Sequence, residues 1–207
     1  MKQNLFLFAA AFLLVALFSA CSSGPNVRRV DADTVIDVSG RWNDTDARLV
    51  SNSLINDSLN SPRVIQFIEE YTAQNNGRRP AALVGSFRNE SSEHIDTSII
   101  SRAMESAIVN SGKMDFVAGG DTLAEIRLER LDREHTLEET AAALGRETGA
   151  ILLLTGTVSS IVDQAGRTTV RSYFVSAELT NIETRTRLWM GENNEIKKVA
   201  TRPLFRR

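Results

Sequence analysis

The side chains best suited to acid–base chemistry lie in one short polar segment. His94 stands beside Glu93 and two residues before Asp96, in a predicted loop after an apolar strand, where a general base could sit. The same loop precedes a predicted helix, and Asp96 is well placed to cap that helix. Capping or simple exposure to solvent is the plainer interpretation of these residues, and catalysis is the alternative.

Other signatures of an active site are missing from the sequence. There is no Gly-x-Ser-x-Gly elbow and no Gly-rich phosphate loop. With two histidines and one cysteine, the chain has almost no material for a zinc site. We therefore expect no catalytic residue, no cofactor, no bound metal and no small-molecule substrate, so the protein is not expected to be an enzyme.

Covalent chemistry of another kind is indicated at Cys21, the only cysteine. An unbroken apolar run over residues 5–18 follows a basic residue, and Ser19-Ala20 directly precedes the cysteine. The run is shorter than the ~20 residues that a membrane span needs, so residues 1–20 are predicted to be a cleaved signal peptide. Small residues just before a cysteine resemble the bacterial lipobox, in which that cysteine carries a lipid. Ordinary secretion with a chance cysteine is the alternative.

Length and charge limit the classes of function. A formal net charge of −2 over 207 residues gives no basic excess of the kind that binds nucleic acid. A chain of this length can bury one well-packed core without disulfides. The expected organisation is a lipidated cysteine with a short linker over residues 21–30, one globular domain over 31–200 and a tail over 201–207.

Apolar residues at helical spacing predict the helices. Asp44 or Thr45 is expected to cap the first helix, and Pro62 suits the first position of the second. In the third, the pairs at 99–100, 103–104 and 107–108 recur every four residues and form one buried stripe. About four helices are expected among five candidate segments, which are residues 44–59, 62–71, 96–111, 123–132 and 136–149.

The strand patterns predict a single mixed sheet. Strands over residues 81–87 and 113–117 flank the third helix, so they are expected to run parallel in a β–α–β unit. Later in the chain, consecutive strands with short turns indicate an antiparallel three-stranded meander, with Tyr173 facing the same way as Val175, Ala177 and Leu179. The meander strands are predicted over residues 151–162, 168–180 and 187–196, and one more strand over 34–38. The predicted fold class is α+β, with helices flanking the sheet.

Four stretches together resemble a known family. They are RVDADTVIDVSGRWNDTDARLV (29–50), LVGSFRNESSEHIDTSIISRAMESAIVNSGKMDFVA (83–118), ETAAALGRETGAILLLTGTVSSI (139–161) and LTNIETRTRLWMGENNEIKK (179–198). In order and spacing they are similar to the LpoB family of bacterial lipoproteins, which activate penicillin-binding proteins, the peptidoglycan synthases. The resemblance implies a sheet-and-helix domain related to the N-terminal domain of TolB.

The resemblance also implies a location and an activity. A lipid on Cys21 followed by Ser22 implies an anchor at the periplasmic face of the outer membrane. The implied activity is non-catalytic: the domain docks on a bifunctional synthase and raises its glycosyl-transfer and cross-linking rates. An envelope scaffold or assembly lipoprotein with a TolB-like domain and a different partner is the alternative function.

A partner would be recognised by an exposed surface. The polar loop after a strand end is a common place for recognition, and aromatic residues on the meander could anchor an interface if they are exposed. Burial is the competing interpretation for both aromatic side chains. The candidate partner-contact residues are Arg88, Asn89, Ser92, Glu93, His94, Tyr173 and Trp189.

Overall fold

The computed structural model describes residues 29–31, 34–117 and 149–202. Contacts divide the chain into Met1–Thr34 and Val35–Arg207, and the fold below is that of the second unit. The predicted signal peptide, Cys21, the two helices expected over 123–132 and 136–149 and most of the predicted tail lie outside the described residues.

Helices and strands alternate first and strands dominate afterwards. The described helices are α1 (Asp44–Asn60), α2 (Pro62–Gln74) and α3 (Ser98–Ser111). The strands are β1 (Ala81–Asn89), β2 (Asp115–Phe116), β3 (Leu152–Ala165), β4 (Thr168–Asn181), β5 (Thr186–Asn193) and β6 (Lys197–Thr201). The α+β class and the mixed sheet are confirmed.

The sheet joins a parallel half to an antiparallel half. Its order is β2-β1-β3-β4-β5, and β6 also pairs with β4. β1 runs parallel to both β2 and β3, as the β–α–β pattern predicted. β3, β4 and β5 run antiparallel to one another, which confirms the meander.

The last predicted strand ends early, and a further strand that was not predicted follows it. The segment expected to be a strand over 187–196 ends at Asn193 as β5, and the chain then forms β6. β5 pairs with the second half of β4, from Val175 onward, and β6 pairs with its first half, from Thr168 to Ser172. One long strand therefore supports two short strands along the same edge.

Asn43, rather than Asp44 or Thr45, caps α1. The Asn43 side chain accepts a hydrogen bond from the Asp46 amide, and the Asp46 carboxylate accepts one from the Asn43 amide. This reciprocal pair is a capping box. The cap therefore lies one residue before Asp44 and two before Thr45, because the acidic partner needed three residues after the cap is Asp46.

The core lies between the helices and one face of the sheet. Tyr173 and the alternate residues that follow it on β4 are buried, as their spacing predicted. They belong to one apolar cluster with Ile100, Met104 and Ile108 of α3. The other half of the predicted stripe is less buried: Ala103 and Ala107 are half-buried and Ile99 is exposed. The helical period of α3 and the two-residue period of β4 thus place their apolar faces together.

The strand expected over residues 34–38 is not formed. β-branched residues favour a strand only where a neighbouring strand can pair with them. Here Val35, Ile36 and Val38 are exposed. Asp37 instead accepts a hydrogen bond from the Asn43 side-chain amide at 2.9 Å. Residues 35–43, here called the strap, lead into α1 as irregular chain.

Gly40 allows the strap to lie against β6. Its φ is +64°, and a Cβ built on it would approach the Ala200 Cβ to 3.0 Å. An alanine at this position would have to adopt a left-handed conformation, which costs about 1–2 kcal/mol, and would also crowd Ala200.

We expect Gly40→Ala to lower the free energy of unfolding by about 2 kcal/mol, measured by urea titration. Gly166→Ala is the matched control, because Gly166 also has a positive φ, of +57°, but no atom lies within 4 Å of its built Cβ. The control should lose only the backbone part. Equal losses in the two variants would contradict a close contact between the strap and β6.

A candidate protein-contact surface on the β1–α3 loop

The loop between β1 and α3 is ordered by its own hydrogen bonds. The Ser91 amide and hydroxyl both donate to Asn89 Oδ1, at 3.0 and 2.6 Å. Asn89 Nδ2 donates to the Glu93 carbonyl oxygen at 2.7 Å. These bonds hold the loop in one shape.

Both ends of the loop are tied to neighbouring strands and helices. The Glu90 amide donates to the Val158 carbonyl of β3 at 2.8 Å, and the Thr97 hydroxyl donates to the Phe87 carbonyl at 2.5 Å. Asp96 accepts from the Ser98 hydroxyl and amide at the start of α3, and these hydrogen bonds lower its pKa. The capping contribution expected of Asp96 is therefore present, although Thr97 occupies the N-cap position itself.

Glu93 turns inward from this loop. One carboxylate oxygen lies 2.8 Å from Arg171 Nε, and the two side chains are 10% and 16% exposed. The other accepts a hydrogen bond from the Tyr173 hydroxyl at 2.9 Å. Glu93 therefore fastens the loop to β4, and little of its side chain is available to a partner.

Tyr173 connects the loop to the strap. Its hydroxyl accepts a hydrogen bond from the Trp42 amide at 3.0 Å while donating to Glu93. The Trp42 and Tyr173 rings meet edge to face, with centroids 5.3 Å apart, a favourable aromatic geometry. Burial, together with the neighbouring Glu93 carboxylate, raises the pKa of Tyr173 well above its usual value.

A second ionic cluster lies between the strap, α1 and β6. Lys198 Nζ is 2.6 Å from Asp46 and 2.5 Å from Asp37, and it also donates to the Arg41 carbonyl at 3.0 Å. Lys198 and Asp46 are both buried. Burial alone would lower the pKa of Lys198, but the hydrogen bonds to the two carboxylates outweigh it and the pKa is raised.

The two aromatic candidates are core residues. Tyr173 is fully buried, and Trp189 is 6% exposed. The Trp189 indole donates to Asp57 Oδ2 of α1 at 2.9 Å, a bond that joins β5 to α1. A contact role for these aromatics required exposure, and neither side chain meets that condition.

Four candidates on the loop and the end of β1 are exposed. Arg88, Asn89, Ser92 and His94 present their side chains to solvent, and Arg88 pairs with exposed Glu90 at 3.2 Å. The carboxylates beside His94 have other partners, since Glu93 binds Arg171 and Asp96 binds Ser98. The four exposed side chains therefore present polar groups to solvent, whereas the two carboxylates beside His94 are engaged within the protein.

The exposed loop residues do not line the small cleft that lies among core side chains. One cleft, lined by apolar side chains such as Met104 and Leu154, has a volume of ≈10 Å³, room for about one water molecule. Within the described ranges, no three His, Cys, Asp or Glu side chains converge to hold a metal ion. No helix in those ranges is long and apolar enough to cross a membrane.

The buried cations were not identified from the sequence. Arg171 shares the two-residue spacing that places Tyr173 and Val175 on the core face, so a charged residue on an apolar strand face was a usable signal. Lys198 carried no such signal, because β6 itself was not predicted. Both residues act by holding segments in place.

Comparison with known proteins identifies related sequences and folds. The family model of the peptidoglycan-synthase activator LpoB matches residues 46–195, and no curated protein matches the chain. The LpoB C-terminal domain from Escherichia coli has a TM-score of 0.50 at 16% sequence identity, covering 76% of this chain and 99% of that one. The solution structure of E. coli LpoB has a TM-score of 0.46 at 14% identity, covering 88% and 84%. The Salmonella enterica domain has a TM-score of 0.41 at 17% identity, covering 67% and 96%.

Loss of the buried Lys198 ammonium group should destabilise the protein strongly. We expect Lys198→Met to lower the free energy of unfolding by about 3 kcal/mol, because it leaves the Asp46 charge buried without its partner. The measurement is a urea titration followed by circular dichroism. Lys197→Met, at the exposed neighbouring position, should change it by no more than about 0.5 kcal/mol. A similar small effect from both variants would contradict the structural role of Lys198.

Tyr173 should remain protonated for as long as the protein is folded. Its pKa is higher folded than unfolded, so the stability it contributes is fully present below about pH 10 and is lost as the pH rises further. In a Tyr71→Phe variant Tyr173 is the only tyrosine. Absorbance at 295 nm should then rise together with the loss of circular dichroism. Ionisation at pH 10 in protein that is still folded would contradict this assignment.

Proposed function

Because the chain belongs to the peptidoglycan-synthase activator LpoB family, we propose that it binds a bifunctional peptidoglycan synthase and raises its activity without catalysing a reaction itself. The family match over residues 46–195 carries the proposal. That range covers every described helix except the first two residues of α1, and every described strand except β6. The proposal includes a lipid on Cys21 that anchors the chain to the outer membrane, with the domain on the periplasmic side.

The loop geometry supports contact with a protein partner. A surface that is already ordered loses less conformational entropy on binding than a flexible one. The Ser91–Asn89 bonds fix the loop from within, and Glu93 fixes it to β4. We therefore place the synthase contact on the exposed side chains of Arg88, Asn89, Ser92 and His94.

The direct test adds the full-length lipoprotein, in detergent, to the bifunctional synthase of the same organism. We expect a faster rate of glycan polymerisation together with measurable binding between the two proteins. Absence of both effects would overturn the proposal. Capture of a different envelope complex by the lipidated chain, with no synthase bound, would favour the scaffold function instead.

A charge reversal tests the contact surface. We expect Arg88→Glu to weaken synthase binding by about tenfold, the effect of losing roughly 1.4 kcal/mol at an interface. Binding is measured by titration of labelled lipoprotein, and circular dichroism checks that the fold is kept.

Arg78→Glu is the matched control for this reversal. Arg78 is exposed and precedes β1, whereas Arg88 lies near the far end of that strand, so the two are roughly 30 Å apart. The control should bind as the unaltered chain does. Equal weakening by both reversals would indicate a general effect of charge and would contradict a contact at the loop.

A further inference from the structure

Exposed apolar side chains concentrate at one end of the sheet. Of the eleven large apolar side chains exposed among the described residues, six lie there: Val35, Ile36, Val38, Ile161, Val162 and Val199. Three belong to the strap, two to the end of β3 and one to β6. Val38 is 91% exposed and Val199 is 64% exposed. Such a concentration of exposed apolar surface is typical of a site where another protein binds.

Among the described strands, none pairs with the outer edge of β6, which lies at the centre of this region. The Tyr173 amide donates to the Ile196 carbonyl at 2.9 Å, and the Arg202 amide donates to the Arg167 carbonyl at 3.0 Å. Antiparallel hydrogen bonds alternate along a strand, so Lys198 and Ala200 direct their backbone groups toward β4. Lys197, Val199 and Thr201 therefore direct theirs away from β4, and no described strand pairs with them.

We infer that this edge pairs with β6 of a second copy of the chain. An antiparallel pairing centred on Val199 places Lys197 opposite Thr201 of the other copy. Every residue with outward-directed backbone groups then meets another such residue, which gives about six backbone hydrogen bonds. The strand is thus complementary to itself about a two-fold axis, the symmetry of most protein dimers.

Lysines on an edge strand commonly prevent this kind of pairing, but here they do not oppose it. Lys198 faces inward, and its charge is matched by Asp37 and Asp46. Lys197 would stand opposite a neutral threonine, so no like charges meet directly across the two strands.

The same pairing would bring apolar side chains together on the open face of the sheet. Val199 lies opposite Val170 of β4, and Ile161 lies on the same face one strand further, opposite Ser172. In the pair the two Val199 side chains meet at the axis. The strap contacts β6 from the other face, at Asp37–Lys198 and Gly40–Ala200, so the two straps would also lie side by side.

Disulfide trapping tests the register. Val199→Cys in the full-length chain places a cysteine of each copy at the two-fold axis. The two Cα atoms would be about 5.5 Å apart, within the range that a disulfide spans. Mild oxidation in detergent should yield a covalent dimer. The unaltered chain, whose only cysteine is Cys21, controls for linkage through that thiol.

The neighbouring position supplies the matched control. In the proposed register the two thiols that Lys197→Cys introduces would be roughly 14 Å apart, too far for a disulfide. Lys197→Cys mixed with Thr201→Cys should form a heterodimer, because these positions face each other. Equal trapping of Val199→Cys and Lys197→Cys alone would show random collision and overturn the pairing. The pairing would also be overturned if Val199→Cys formed no covalent dimer although its thiol still reacted with maleimide, or if that thiol became linked to a different protein.

Discussion

The Tyr173 hydroxyl makes the hydrogen bonds on which the position of the β1–α3 loop depends. It receives a hydrogen bond from the Trp42 amide in the strap and donates one to Glu93 in the β1–α3 loop. These partners are 131 and 80 residues away in the sequence, so one phenol on β4 brings three distant segments together. Because the phenol is fully buried, each polar group that it engages must be satisfied within the protein. The position of the loop is therefore set by the core.

The charges that surround this contact specify geometry more than they add stability. Burying Glu93 with Arg171, or Lys198 with Asp46, carries a desolvation cost that can equal the attraction within each pair. What the pairs provide is a fixed arrangement, because Lys198, held by Asp46, also binds Asp37 and the Arg41 carbonyl of the strap, and moving the strap would break these contacts. An apolar contact would tolerate sliding of the strap along β6. The ionic contacts do not, and this accounts for an irregular segment held in a defined position.

Periodicity was sufficient to predict the parts of the fold that bury apolar stripes. The four-residue repeat of α3 and the alternation on β4 from Tyr173 are both local patterns, and both meet in the core. The prediction of a strand over residues 34–38 was wrong, because strand formation needs a partner strand that local sequence does not encode. Glu93 could be placed in a loop, but its inward direction depends on Arg171, far away in the chain. β6 was not predicted because it has only five residues and forms by pairing with β4, a contact between distant parts of the chain that local sequence does not encode.

Strand β4 serves the two proposed interactions through different chemical groups. Its core-face side chains, Arg171 and Tyr173, hold Glu93 and hence the loop that carries Arg88 and His94. Its backbone holds β6 through hydrogen bonds that do not involve those side chains. A second copy added at the open edge of β6 would therefore leave the Glu93 contacts intact. The lipid proposed on Cys21 would confine the chains to a membrane surface and raise their effective concentration. Even a small edge contact would then be populated, with the loop of each copy still free for the proposed synthase.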